Sequence, residues 1–418
     1  MSSQPVTSAA TSVEKGSALK SLPRNVWVVT FTSFLTDVSS EMLVHLLPFF
    51  LTTVLGASTA VIGLVEGIAE SVASLLKVFS GYISDKLRAR KWLAVAGYAL
   101  STLSKPFYLF AQTWGGVMAI RVTDRVGKGL RTAPRDALVA DSIDERHRGL
   151  AFGLHRAGDT AGAMLGTLIA AALLWRMQRG AFELAAGTFH TIVGWSLLPA
   201  VLAVLLLAFG AREVPVRQQN APKLTLAGFD RRFLWFLGAV VIFTLGNSSD
   251  AFLLLRARER GLDLVQVLLM VASFNLIYAL ISGPAGALSD KIGRRRLIVF
   301  GWLVYGVIYL GFAVASAAWQ VWALYVLYGV YYGMAEGTAK ALVADLVPAE
   351  KRGTAYGVYN AAVGLAAFPA SAIAGVLWQG IGGWTGFGPA APFFFGAGLA
   401  VVAALMLWRI LASEARVA

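Results

Sequence analysis

The densest chemistry in the chain lies in Met118-Ala-Ile-Arg121-Val-Thr-Asp124-Arg125-Val-Gly-Lys128-Gly-Leu-Arg131-Thr-Ala-Pro-Arg135-Asp136. At about 100° per residue on a helix, Arg121, Asp124, Arg125, Lys128, Arg131, Thr132, Arg135 and Asp136 share an arc of roughly 140°. Ala119, Val122, Val126, Leu130 and Ala133 fill the opposite side. Such a stripe can bind an anion or line a wet cavity. Arg121, Asp124, Arg125 and Lys128 are the candidates for a solute cavity, the alternative being internal ion pairs that fix helix packing. Arg131, Arg135 and Asp136 approach a helix end, where they would snorkel or lock neighbouring helix ends.

A second constellation is Asp37, Glu41 and His45, spaced i, i+4, i+8 and therefore on one helical face. Two carboxylates close together in a low dielectric cannot both ionise cheaply. One is expected to hold a proton, which makes Asp37 and Glu41 the candidates for proton coupling. Permanent pairing of Glu41 with a base such as Arg121 is the alternative. His45 is expected to line the cavity. Glu66, Glu70 and Lys77 form another stripe, and Arg156 and Asp159 are spaced i, i+3. Lys105 sits beside Pro106. Such groups cost least as neutralised pairs, and Glu66, Glu70, Arg156 and Asp159 join the cavity candidates. Later in the chain the polar set is thinner: Asn247, Asp250, Asn275, Glu336, Lys340 and Asn360. Asn247 and Asp250 are its cavity candidates. Tyr325, Tyr328, Tyr331 and Tyr332 could form an aromatic wall, with ordinary packing expected for at least two of them.

Enzymatic chemistry has little to work with. The chain has no cysteine and only four histidines. No nucleophile–base pair and no metal-ligand spacing is visible, and no nucleotide-binding Gly-x-x-x-x-Gly-Lys-Ser/Thr loop occurs. The expectation is no catalytic residue, no cofactor and no metal site.

The elements that must hold these residues are membrane helices. Hydrophobic residues make up 57% of the chain and charged residues 14%, and the mean hydropathy is +0.67. Apolar strings of about 20 residues, the length of a bilayer-spanning helix, recur throughout. An Arg or Lys at the centre of such a helix costs about 2.5–3.5 kcal/mol on insertion scales, so the charged stripe cannot face lipid. The expected spans are 25–54, 59–83, 92–112, 115–138, 150–174 and 190–211, then 233–256, 264–288, 297–316, 320–344, 353–378 and 391–411. The fold class is thus an all-α membrane protein with twelve transmembrane helices in two six-helix pseudo-symmetric bundles around a central cavity. Residues 1–24 and 413–418 read as cytoplasmic tails, the first disordered, and 212–232 as a cytoplasmic linker between bundles 25–211 and 233–412.

Most Lys and Arg fall in alternate loops, among them Lys86, Arg88, Arg90 and Lys91, Arg146 and Arg148, and Arg294, Arg295 and Arg296. The positive-inside rule makes those loops cytoplasmic, with both termini on the same side. It also accounts for the net charge of +13 without nucleic acid as a partner. The halves repeat. Gly81-Tyr-Ile-Ser-Asp85-Lys86 returns as Gly286-Ala-Leu-Ser-Asp290-Lys291, and Ala137-Leu-Val-Ala-Asp141 as Ala341-Leu-Val-Ala-Asp345. Arg148-Gly149-Leu-Ala-Phe-Gly153 returns as Arg352-Gly353-Thr-Ala-Tyr-Gly357, and Ser39-Ser40-Glu41 is echoed by Ser248-Ser249-Asp250. Such repeats place a solute site near the midplane, between the halves.

On these motifs the chain resembles the major facilitator superfamily over essentially all of 25–412. Gly286-Ala-Leu-Ser-Asp290-Lys291-Ile-Gly293-Arg294-Arg295 is similar to a full copy of that family's signature loop. Its counterpart keeps Gly81, Asp85, Lys86, Arg90 and Lys91 and departs at Arg88, where the family usually has Gly. The resemblance implies gating roles for Gly81, Asp85, Lys86, Gly286, Asp290, Lys291 and Arg294, with Asp85 holding the outward-open arrangement closed on the inside. Arg121 stands at the arginine of the basic motif in the family's proton-coupled antiporters, and Arg125 replaces a usual glycine. Gly158, Gly162 and Gly166 resemble the antiporter motif, with Ala163 in place of Pro and Thr167 in place of the last Gly. The implied protein is a secondary transporter of the plasma (inner) membrane, working as a monomer by alternating access. Its expected partners are a small solute, a proton as coupling ion, and the lipid bilayer. Excess positive charge in 121–135 favours an anionic or zwitterionic solute. A multidrug or siderophore exporter is the alternative within this class, and a non-transporting membrane sensor the alternative outside it.

Overall fold

The computed structural model describes residues 22–143, 148–214, 226, 228–348 and 351–414. Most of the expected N-terminal tail and the middle of the linker lie outside the described residues. The described chain is all-helical, with one isolated bridge between Ile381 and Trp384. The first half comprises α1 (Arg24–Val44), α2 (Thr59–Leu87), α3 (Arg90–Ser104), α4 (Trp114–Asp141), α5 (Arg148–Gln178) and α6 (Ala186–Gly210). The second comprises α7 (Arg231–Gly246), α8 (Ala251–Glu259), α9 (Leu264–Ile292), α10 (Arg294–Val314), α11 (Ala318–Leu346), α12 (Arg352–Gln379) and α13 (Ala391–Glu414). A lipid environment offers no water to backbone N–H and C=O groups, and a helix satisfies them internally.

Nine helical segments of the described chain are long and apolar enough to cross a membrane. Of the segments expected to span, those at 92–112, 115–138 and 320–344 are not among the nine. The reasons are local. α3 gives way at Lys105–Phe110 to a tighter 3-10 turn that contains Pro106. α4 carries the charged stripe, and α11 is diluted by Tyr, Trp and Gly.

The sequence repeat has a packing counterpart. In the first half α1 packs on α5 and α6, α2 on α4, and α3 on α4 and α6. In the second, α7 packs on α12 and α13, α9 on α11, and α10 on α11 and α13, the same pattern with α7 and α8 together standing where α1 stands in the first half. An ion pair repeats with it. Arg90 pairs with Asp141 and donates to the Ala137 carbonyl at 3.4 Å. Arg294 pairs with Asp345 at 2.6 Å and donates to the Ala341 carbonyl at 3.1 Å. Each arginine of a signature loop thus ties the start of one helix to the end of the next within its own half.

Close approach of helices depends on glycine. A Cβ on Gly158, Gly162 or Gly166 of α5 would strike Thr30, Phe34 or Val38 of α1. The glycines that resemble an antiporter motif therefore serve to seat α5 on α1, as small residues do at membrane helix contacts. Between the halves, α2 packs on α12 and α5 on α9. Gly63 and Gly67 of α2 face the backbone of Ser371 and Phe368, while Gly364 and Gly375 of α12 face Ser74 and Thr59.

The end of the molecule that carries the 88–89 and 293 turns is the basic end, and hydrogen bonds between the halves seal the opposite, far end. The Thr59 backbone N–H donates to the Gln379 side chain at 2.7 Å, and the Leu264 N–H to the Ala181 carbonyl at 3.1 Å. Two interruptions point inward. α1 stops at Val44 and is followed by a short turn at Leu47–Phe49 and a π turn at Phe50–Val54. Asn247–Asp250 separates α7 from α8; there the Tyr305 hydroxyl donates to the Gly246 carbonyl at 3.0 Å and the Ser249 N–H to Ser371 Oγ at 3.2 Å. These partners replace helical bonds lost at the break, as unwound membrane helices require.

Gly67 lies within 3.0 Å of Phe368 Cα when given a Cβ, so Gly67→Leu should overpack the α2–α12 seam. The expected cost is about 1–3 kcal/mol, seen as a lower melting temperature in detergent. Gly194→Ala, which adds a methyl to open space, should leave it unchanged. Equal melting of both variants would contradict the interlocked seam.

Candidate functional site

Between the halves lie two chambers stacked along the long axis. The upper, toward the far end, measures about 490 Å³, and the lower, toward the basic end, about 430 Å³. Glu41, Glu70, Lys128, Ala163 and Asn275 line both, so they form the neck of one continuous cavity. Helix geometry explains the placement. The polar stripe of α4 faces α1 and α2, and residues a turn apart fall into successive levels: Arg121 and Arg125 above, Lys128 at the neck, Arg131 and Arg135 below.

Most of these charges are neutralised within the first half. Arg121 is buried, and its Nε and Nη2 donate to the two carboxylate oxygens of Glu66 at 3.1 and 2.8 Å. Arg125 Nε lies 4.0 Å from Glu70. Glu41 pairs with His45 at 2.7 Å rather than with Arg121. Arg131 donates to Ser101 Oγ at 2.6 Å and lies over the Tyr98 ring at 4.5 Å. Arg135 donates to Asp136 at 2.8 and 2.9 Å and to Ser33 Oγ at 3.2 Å. Lys105 is buried and donates to Ser39 and Ser40 at 2.5 and 3.3 Å.

Lys128 differs. Its side chain is exposed at the neck and makes no hydrogen bond or ion pair among the described residues. Asp37 is similarly open: it lines the lower chamber, and its electrostatic neighbours are Asp159, Glu41, Lys128 and Arg131. Asp159 and Arg156 line the same chamber. Asp159 lies 3.7 Å from His155, and Arg156 donates to the Tyr278 hydroxyl across the α5–α9 seam with its guanidinium 5.4 Å from that ring.

Asp124 lies away from the central cavity. It lines a small void behind α4 with Lys105, Tyr108 and Ser40, because it occupies the edge of the stripe that turns toward α3. Arg121 borders the upper chamber but is committed to Glu66, with Asp124 3.7 Å away. Asn247, Asp250 and His45 line the upper chamber, and Asp250 accepts from the Tyr328 hydroxyl at 3.2 Å. Of the four tyrosines, Tyr325 and Tyr332 border this chamber, while Tyr328 and Tyr331 pack in the core. Among the gating candidates, Gly81 packs near Ala133, Lys86 is exposed at the end of α2, and Arg294 makes the clamp described above. Asp85, Gly286, Asp290 and Lys291 fall within α2 and α9, and their side chains and surroundings lie outside what is described. Phe274 and Tyr278 of α9 also border the cavity. Sequence reasoning passed over both; the adjacent Asn275, polar within an apolar helix, was the available signal.

Removing one member of a buried pair strands the other. Arg121→Met should therefore destabilise the protein by about 3–5 kcal/mol through the uncompensated Glu66. Arg121→Met combined with Glu66→Gln should recover much of the lost melting temperature. Additive losses in the double variant would show that the two side chains do not act as a pair.

The sequence and the fold of two repeated bundles have counterparts in known proteins. The family model for the Major Facilitator Superfamily matches residues 29–371 and 234–417. An uncharacterised MFS-type transporter of Methanocaldococcus jannaschii is 36% identical over 400 residues, which cover 93% of this chain and 95% of that protein. A multi-drug resistance efflux pump of Streptococcus pneumoniae is 25% identical, covering 78% of this chain and 82% of the pump. The crystal structure of a D-xylose-proton symporter superposes with a TM-score of 0.74 at 17% identity, covering 93% of this chain and 97% of the symporter. The chain is a multi-pass membrane transporter rather than an enzyme, and it belongs to the major facilitator superfamily.

Proposed function

We propose that this protein is a proton-coupled secondary transporter that moves a small anionic or zwitterionic solute across the plasma membrane by alternating access. Lys128 carries the reading. Its neighbours on α4 are spent on Glu66, Glu70, Asp136 and Ser101, whereas its ammonium stands open where the two chambers meet. An ammonium that faces the cavity without a hydrogen bond or ion pair among the described residues is free to donate a charge-assisted hydrogen bond to a bound anion. The three helical segments outside the nine complete a twelve-span topology: α4 hides its charges in the cavity, and α3 is prolonged by its 3-10 turn. Loop charge supports cytoplasmic termini. With the far end sealed and the lower chamber reaching toward the basic end, the arrangement described is the inward-facing one. Asp37 and Glu41 are the proton carriers in this scheme, since a proton drives a conformational equilibrium only through unequal affinity for the two open states.

Ligands of the folded state raise its melting temperature by mass action. In a thermal-shift screen of purified protein, carboxylates or phosphates should stabilise it and matched cations should not. Lys128→Ala should abolish that shift and Lys128→Arg retain part of it. Stabilisation by cations that survives Lys128→Ala would refute an anionic solute.

Coupling is tested in proteoliposomes. Asp37→Asn or Glu41→Gln should still exchange the stabilising solute across the bilayer but lose accumulation driven by a pH difference. Accumulation retained by both variants would place the proton site elsewhere.

A further inference from the structure

The walls of the upper chamber are chemically unequal. The first half supplies Lys128 and three close pairs, Glu41 with His45, Glu66 with Arg121 and Glu70 with Arg125. Among the described residues, the second half supplies one charged residue, Asp250, already hydrogen-bonded by Tyr328. Its other contributions are aromatic, aliphatic or neutral polar. Phe274 and Tyr332 meet at 76° with centroids 5.6 Å apart, and Tyr325 stands 5.4 Å from Phe274 at 59°. Rings inclined to one another in this way form a corner, which can receive another ring by face on one side and by edge on the other. Asn275 follows Phe274 directly on α9 and lines the neck with Lys128. Its amide makes no hydrogen bond among the described residues. An ammonium from one half and an amide donor from the other thus border the same neck, with the aromatic corner in the chamber above it. Apolar walls with a few convergent polar groups are the usual composition of a small-molecule site.

We infer that the solute is a ring-bearing organic anion, its acid group at Lys128 and Asn275 in the neck and its ring against Phe274 and Tyr332 in the upper chamber. The inference rests on the reading of Lys128 as the anion-binding residue and adds the class of molecule. It also gives the solute a contact in each half, so that binding bears on the seam between them.

The test uses benzoate, hexanoate and benzyl alcohol as probes of the full-length protein by calorimetry. Benzoate should bind about tenfold more tightly than hexanoate, which has the acid but no ring, and than benzyl alcohol, which has the ring but no charge. Phe274→Leu or Tyr332→Leu should lower benzoate to the level of hexanoate and leave hexanoate unchanged. Lys128→Ala should reduce both acids. Equal binding of benzoate and hexanoate, each dependent on Lys128, would overturn the ring and leave the anion transporter standing. Binding of benzyl alcohol as tight as benzoate, or acid binding indifferent to Lys128→Ala, would overturn the anionic site itself. The conservative leucine variants keep apolar volume, and melting curves of each variant confirm folding before titration.

Discussion

A charge inside a bilayer must find an opposite charge or water, and the design of this molecule follows from how α4 meets that condition. Arg121 is met by Glu66, Arg125 by Glu70 and Arg135 by Asp136, while Arg131 rests on Tyr98 and Ser101. None of these residues could be placed toward lipid, so α1, α2 and α5 must surround the stripe and leave a wet cleft along it. The cleft requires a second bundle to close it. Two bundles that touch only along seams are what alternating access needs, and the same electrostatic condition that shapes the helix therefore shapes the fold.

The seams and the cavity are built from different materials. Along α2–α12 the contact is largely glycine against backbone, with Ser71 Oγ donating to the Gly364 carbonyl at 2.5 Å. Such a surface has few interdigitated side chains to withdraw when the halves move. The cavity instead holds long charged side chains whose partners lie mainly in their own half. Movement of one half against the other would leave the Arg121–Glu66 pair intact while altering what Lys128 and Asp37 face.

Much of the architecture was legible in the sequence because membrane helices declare themselves by length and apolarity, and because the halves repeat. The repeated motifs place Asp141 and Asp345 at matching positions, and the structure adds what the motifs did not say, that each receives a matching arginine. Pairing was harder to read. Helical spacing puts Asp37, Glu41 and His45 on one face, yet it does not say that Glu41 takes His45 or that Asp37 shares its chamber with Asp159. The second outcome depends on the rotation of α5 about its axis, set by Gly158, Gly162 and Gly166 against α1. Asp124 shows the same limit, since a stripe about 140° wide leaves its edges free to face a neighbouring helix. Aromatic cavity residues such as Phe274 carry no periodic signal that separates them from ordinary packing.

The paired clamps, Arg90 with Asp141 and Arg294 with Asp345, sit at the basic end, each inside one half. They tie together helix ends at the basic end, toward which the lower chamber extends. A bundle braced at its tip moves as a lever, so a small tilt near the neck becomes a larger displacement at the rim. In the transport cycle proposed above, the clamps would set the stiffness of each bundle: a looser bundle would bend, and occupancy of the neck would no longer be transmitted to the mouth.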